Sequence, residues 1–230
     1  MHRFGYEVLG QRFTGREIDA LGVAIALLLV VPRPGWRVGR LVITAVHESG
    51  HALVAVCTGR RVTAVHLRPD SSGVTFHQGR RRWLPSLLTA MAGYPAPGVL
   101  GAAGAWSVSD HHPQAWLIAL IAVGVVALAL WVRNLFGVAL MVVWVAALGW
   151  LVLYGTQGVA AITAATLSSY LLLGGWRAGI EIWRDHGPND AADVARLLHV
   201  GPAVAKAGVV LITSAAALWG LALLLRLRVP

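Results

Sequence analysis

Apolar runs long enough to cross a bilayer follow one another almost without interruption along this chain, and few folds remain open to it. The runs lie near residues 18–31, 38–58, 84–108, 114–132, 135–154, 158–180 and 203–225. A helix needs about 20 apolar residues to span the hydrocarbon core. Backbone in contact with lipid must satisfy its own hydrogen bonds, which makes such runs helices packed side by side. Of the 230 residues, 57% are hydrophobic and 13% charged, against about 45–50% and about 25% in soluble domains. The expected fold is an all-α polytopic membrane protein with about six to seven transmembrane helices, a single integral membrane domain over residues 1–230.

The formal charge of +9 raises the question of nucleic acid. The arginines fall mainly between the apolar runs, where cytoplasmic loops carry their positive charge. Arg60–Arg61 and Arg80–Arg82 therefore read as topology anchors, and no nucleic-acid partner is expected; the lipid bilayer is. With the N-terminus in the cytoplasm and seven spans, most of the 19 basic residues lie inside. Demoting the short first run to an interfacial helix evens the two sides out, so a multi-pass protein of the cell membrane with a cytoplasmic N-terminus fits better. No cleavable signal peptide is expected, because Pro32, Arg33 and Pro34 follow the first run where small residues would be needed. The single cysteine, Cys57, has no internal disulfide partner and reads as a small buried hydrophobe.

Inside the second run stands His47-Glu48-Ser49-Gly50-His51. On a helix, residues four apart share one face, so His47 and His51 can grip one metal ion together. Glu48 beside them is placed to take a proton from a water molecule that the ion activates. Two histidines and a glutamate in hydrocarbon are costly unless they act together. Glu48 is ten residues from Thr58, about 15 Å along a helix, which places the motif well below the membrane surface.

A hydrolytic zinc usually has three protein ligands and an open fourth position. Beyond His47 and His51, the acidic residues available for the third place are few. Asp19 and Asp70 lie in or beside surface segments, and Asp110 falls on the outer side. Asp185, Asp190 and Asp193 cluster in the last cytoplasmic loop. Asn189 or Asp190 has the character of an N-cap, with helix following from Ala191. Asp190 either caps that helix while Asp193 faces water, or the segment dips toward the second run and Asp190 completes the zinc sphere, with Asp193 in reserve. His186 is four residues from Asp190, but Gly187 and Pro188 argue against the helix such a pair needs. Asp110, His111 and His112 read as an exposed loop.

Two further segments have structural signatures. Residues 61–78 alternate with period two on either side of Pro69-Asp70-Ser71-Ser72-Gly73, predicting a small β-hairpin at the cytoplasmic face whose edge could dock an extended peptide. Ala92-Gly93-Tyr94-Pro95-Ala96-Pro97-Gly98 must kink or unwind the third run. Broken backbone at that depth is tolerated where protein or water satisfies it, as in a cavity wall beside the metal helix.

In these features the chain resembles the site-2 protease family of intramembrane zinc metalloproteases, in its small multi-span bacterial branch. The likeness rests on His47-Glu48-Ser49-Gly50-His51 with Ala52-Leu53, Pro69-Asp70, Gly73-Val74-Thr75, Ala92-Gly93-Tyr94-Pro95, Arg133-Asn134 and Asn189-Asp190-Ala191. It implies one catalytic Zn2+ held by His47, His51 and a later aspartate, Glu48 as acid/base, and cleavage of membrane proteins within a transmembrane segment. Asn189-Asp190-Ala191 stands where the family usually has Leu-Asp-Gly, and no inserted PDZ-type domain is present. The leading functional expectation is a zinc-dependent intramembrane endopeptidase. A non-proteolytic zinc-binding adaptor or regulator is the alternative, and a transporter a third, weakened by the lack of a polar relay through the other runs.

Overall fold

The computed structural model describes residues 5–8, 10–79, 82–185 and 187–225; Arg3, Arg80, Arg81 and His186 lie outside the described residues. The structure is mostly helical, with two small two-stranded sheets. Along the chain come β1 (Gly5–Val8), β2 (Gln11–Thr14), α1 (Gly15–Val30), α2 (Arg33–Cys57), β3 (Arg61–Leu67) and β4 (Gly73–Gln78). Then follow α3 (Trp83–Met91), α4 (Pro95–Ser109), α5 (Pro113–Leu130), α6 (Leu135–Tyr154), α7 (Gln157–Glu181), a 3-10 turn (Ile182–Arg184), α8 (Asp190–Leu198) and α9 (Pro202–Leu224).

The β1–β2 hairpin is not among the sequence expectations, although Tyr6-Glu7-Val8 and Gln11-Arg12-Phe13 flank Gly10, whose φ of 78 makes the turn. It ends in a capping box: Thr14 accepts from the Glu17 amide, and Glu17 accepts from the Thr14 amide at 2.7 Å. Both orphan amides are thereby satisfied where α1 begins.

Among the described residues, four helices (α5, α6, α9, and α7 with its 3-10 extension) are long and apolar enough to cross a membrane unaided. A fifth crossing arises if α1 and α2 are taken as one bent pair. The count is thus four to five where about six to seven crossings are expected from run length. Two local breaks account for the difference. Pro32 and Pro34 stop α1, and α2 leaves at 103° to it. Arg177 holds this corner by donating to the Val30 and Val31 carbonyls and lying 4.6 Å over the Trp36 ring. The run at 84–108 is divided at Ala92–Tyr94 into α3 and α4, too short singly to span. The glycine and prolines deny that stretch a continuous hydrogen-bond ladder.

α7 is the most buried of the spanning helices and forms the centre of the bundle, with α1, α4 and α9 against it. A second apolar cluster, including Ala52, Val65, Val132 and Met141, ties α2 and β3 to α5 and α6. A third, including Leu87, Ile182, Ala191 and Val194, joins α3, α8 and α9.

The expected hairpin is present as β3 and β4, paired from Leu67 with Gly73 to Arg61 with Gln78. Ser72 donates from its amide and hydroxyl to Asp70 at 2.9 and 2.7 Å, closing the turn and holding the Asp70 carboxyl below the usual carboxylate range. The hairpin does not stand beyond the end of α2 but folds back along it. Thr44 donates to the Ser71 carbonyl at 2.8 Å, and Thr44 precedes the end of α2 by about 20 Å of helix. Cys57, expected to be buried, is exposed at the last residue of α2.

Candidate active site

The 25-residue α2 places His47, Glu48 and His51 on the side that meets the hairpin and the α3–α4 break. Glu48 and His51 are buried, at 6% and 7% exposure. Nε2 of His47 lies 3.0 Å from Nε2 of His51, and both face one oxygen of Asp190. Oδ2 of Asp190 is 2.8 Å from Nε2 of His47 and 3.0 Å from Nε2 of His51. The three residues together form a candidate metal group.

Asp190 arrives from far along the chain because α8 packs on α3. Leu87 meets Ala191 and Val194 in one cluster, and Trp83 donates from Nε1 to the Leu197 carbonyl at 2.8 Å. Asn189 is the N-cap of α8 and accepts from the Ala192 amide at 3.0 Å. With the cap supplied by Asn189, Asp190 in the first helical position has its carboxylate free to face the histidines. Asp193, the reserve candidate, pairs instead with Arg196 at the exposed surface. Asp110 and His112 are 3.7 Å apart in an exposed turn, as that segment's polarity predicts.

The tautomer of His51 is set from behind. Its Nδ1 donates to the Thr89 carbonyl at 2.6 Å. Thr89 lies in the last turn of α3, and its carbonyl also accepts from the Ala92 amide at 3.2 Å. Nε2 of His51 therefore presents its lone pair to the triangle, the arrangement by which protein carbonyls orient metal-bound histidines. Three such atoms meeting at about 3 Å need a proton or a metal cation among them. Tetrahedral zinc with bonds of about 2.0–2.1 Å separates its ligand atoms by about 3.3 Å. The triangle is a few tenths of an ångström tighter, so the donor set and geometry fit zinc after a small expansion.

The backbone of Gly93 closes one side of the triangle. A Cβ there would stand 2.4 Å from Nε2 of His51 and 2.5 Å from Nε2 of His47. The Tyr94 ring meets His47 edge to face at 4.8 Å. The break expected to form a cavity wall beside the metal helix does so. Beside the triangle opens a cleft of about 960 Å³ lined by Tyr94, Glu48, Thr75, Arg40 and Arg60 among others.

Glu48 turns toward the hairpin. Thr75 donates to its Oε2 at 2.6 Å, and a Cβ on Gly73 would come within 2.6 Å of its Cγ. β3 is itself latched to the α5–α6 turn. The Leu67 amide donates to Oδ1 of Asn134 at 3.0 Å, and Nδ2 of Asn134 donates to the Leu67 carbonyl at 2.6 Å. The Val65 amide donates to the Trp131 carbonyl at 2.7 Å. The outer edge of β3 is thus covered, whereas no strand among the described residues pairs with the outer edge of β4. Sequence reasoning assigned no task to Thr75 or the Thr89 carbonyl. Neither has a local signal, since their contacts cross 27 and 38 residues.

The arrangement provides three metal-ligating atoms, a buried carboxylate beside them and room for an extended chain. No curated protein and no solved structure matches the sequence. Residues 20–221, nearly the whole bundle and every residue of the site, match the profile described as Peptidase M50B-like, and the chain belongs to that family, within the site-2 proteases.

Proposed function

We propose that the protein is a zinc-dependent intramembrane endopeptidase that hydrolyses peptide bonds in or near transmembrane segments of other membrane proteins. The observation that carries this reading is the convergence of His47, His51 and Asp190 to within about 3 Å, with Glu48 buried at the cleft beside them. In this reading those three residues hold the ion. Zinc, when bound, supplies a Lewis acid for the scissile carbonyl and lowers the pKa of water.

The remaining chemistry belongs to the chain. Glu48 removes a proton from the attacking water, whose oxygen bonds to the carbonyl carbon. Glu48 then delivers that proton to the amide nitrogen as the C–N bond breaks. Thr75 fixes the carboxylate for both transfers. The unpaired edge of β4 can hold the substrate as an added strand, since a membrane helix must unwind before its peptide bond is accessible. The bundle admits water through the cleft while keeping lipid away. The apolar helices and the family support a multi-pass membrane protein, and a cytoplasmic N-terminus is part of the same proposal.

The test is Glu48→Gln in the full-length protein reconstituted with single-span substrates. Cleavage should be lost while bound zinc stays near the wild-type ratio. Undiminished cleavage overturns the assignment.

A further inference from the structure

We infer that Arg60 is a specificity-determining residue of this cleft, binding a substrate carboxylate about two to four residues from the bond that is cut; the inference rests on the peptidase reading. Three arginines face the cleft. Arg40 stands 3.6 Å from Glu181, and Arg196 pairs with Asp193. Among the described residues Arg60 has no carboxylate at ion-pair distance, although it is the most buried of the three, at 8% exposure. Its Nη2 donates to the Ser86 hydroxyl at 2.6 Å, while its buried Nε has no partner.

A guanidinium offers five N–H donors in a planar fork that matches a carboxylate at two points. One neutral hydroxyl leaves most of that capacity and all of the charge uncompensated. Keeping a cation buried in this way is costly unless an anion completes it. The cleft's own carboxylates are engaged, Glu48 with Thr75, Asp190 with the histidines and Asp193 with Arg196. The anion that fits must therefore enter from outside, and what enters this cleft is substrate. Arg60 is also held in place from behind, because its amide donates to the Ala55 carbonyl at 2.8 Å beyond the turn at Gly59.

Two rulers set the position of that carboxylate. Ser86, which holds the guanidinium, is one turn before Thr89 on α3, about 4.5 Å along the axis. Thr89 in turn holds His51. On the other wall, Thr75 touches Glu48, and Gly79, one residue past the end of β4, lies against the stem of Arg60; these are four residues apart, at most about 13 Å. An extended chain with its scissile bond at Glu48 brings its second to fourth neighbour on one side to Arg60.

The test uses full-length protein in zwitterionic phosphatidylcholine vesicles and designed single-span peptides carrying Glu or Gln at successive positions around the cut. One position in the window should favour Glu over Gln by about 10-fold or more in kcat/KM. Arg60→Gln should erase that preference by slowing the Glu peptide alone, and Arg60→Lys should keep part of it. A wild type that cuts every peptide without regard to Glu overturns the inference, even where no variant folds. Equal slowing of Glu and Gln peptides by Arg60→Gln overturns it too. So does a rate governed by added phosphatidylglycerol in place of the substrate's charge, the result expected of a lipid headgroup at Arg60. A zinc-loaded wild type that cuts no peptide is a separate failure, of the peptidase reading itself.

Discussion

Thr75 reaches from the hairpin to donate its hydroxyl to Oε2 of Glu48 at 2.6 Å, so the hairpin is part of the candidate site and more than a connector between helices. A hydrogen bond to a charged group contributes about 1.5–3 kcal/mol. Thr75→Val keeps the shape and removes the donor, and should lower kcat by about 10- to 100-fold. Thr75→Ser should recover most of the loss. A Val variant with wild-type turnover would show that Glu48 is held by other means.

Asp190 and Asp193 are both in the first turn of α8, but only Asp190 meets the histidines. Even indirect supports of a metal site change affinity by about 10- to 100-fold. Asp190→Ala should exceed that and leave the purified protein short of zinc, measured as ion per chain after dialysis against a weak chelator. Asp193→Ala removes only a surface pair with Arg196, worth about 0–1 kcal/mol, and should leave zinc content unchanged. Equal zinc content in both variants would favour a two-histidine site and the non-proteolytic adaptor.

Gly93 gives a steric test of the same triangle. It is not among the residues with positive φ, so alanine fits its backbone without strain. The added methyl would nevertheless fall 2.4–2.5 Å from both Nε2 atoms. Gly93→Ala should therefore abolish zinc binding and cleavage while changing the thermal unfolding of the metal-free protein little. Retained zinc would mean that the α3–α4 break can retreat from the site.

The parts legible in the sequence are those set by local pattern. The four-residue spacing puts His47 and His51 on one helical face, and Pro69-Asp70-Ser71-Ser72-Gly73 marks a turn that the structure contains. Asp190 was one of three aspartates within nine residues, and sequence alone left open whether it capped a helix or faced the histidines. The choice depends on Asn189 taking the cap and on Leu87 drawing α8 onto α3, a contact across about 100 residues of chain. Run length was the weaker guide. It counted 84–108 as one crossing because hydropathy does not register a break made of Ala92, Gly93 and Tyr94, all compatible with lipid. The direction of the hairpin along α2 was hidden for a similar reason: Thr44, Ser71 and Thr75 are small polar residues whose partners are set only by the packed fold.

Asn134 shows how a distant turn can control the site. Its side chain pairs with both backbone groups of Leu67, substituting for a neighbouring strand on the covered edge of β3. Each such bond contributes about 0.5–1.5 kcal/mol, so Asn134→Ala should weaken the hairpin by about 1–3 kcal/mol. Local opening should then become about 5- to 150-fold more frequent, read as faster amide exchange confined to residues 61–78. Because β4 positions Thr75 against Glu48, turnover should fall with it, while zinc content should hold, because the three candidate ligands lie outside the hairpin. Asn134→Asp separates the two bonds. The carboxylate can still accept from the Leu67 amide but cannot donate to the Leu67 carbonyl, and it faces that oxygen as an anion. Exchange in the Asp variant should be at least as fast as in the Ala variant. Slow exchange in both would mean that the other contacts, Val65 with Trp131 and Thr44 with Ser71, are enough to secure the hairpin.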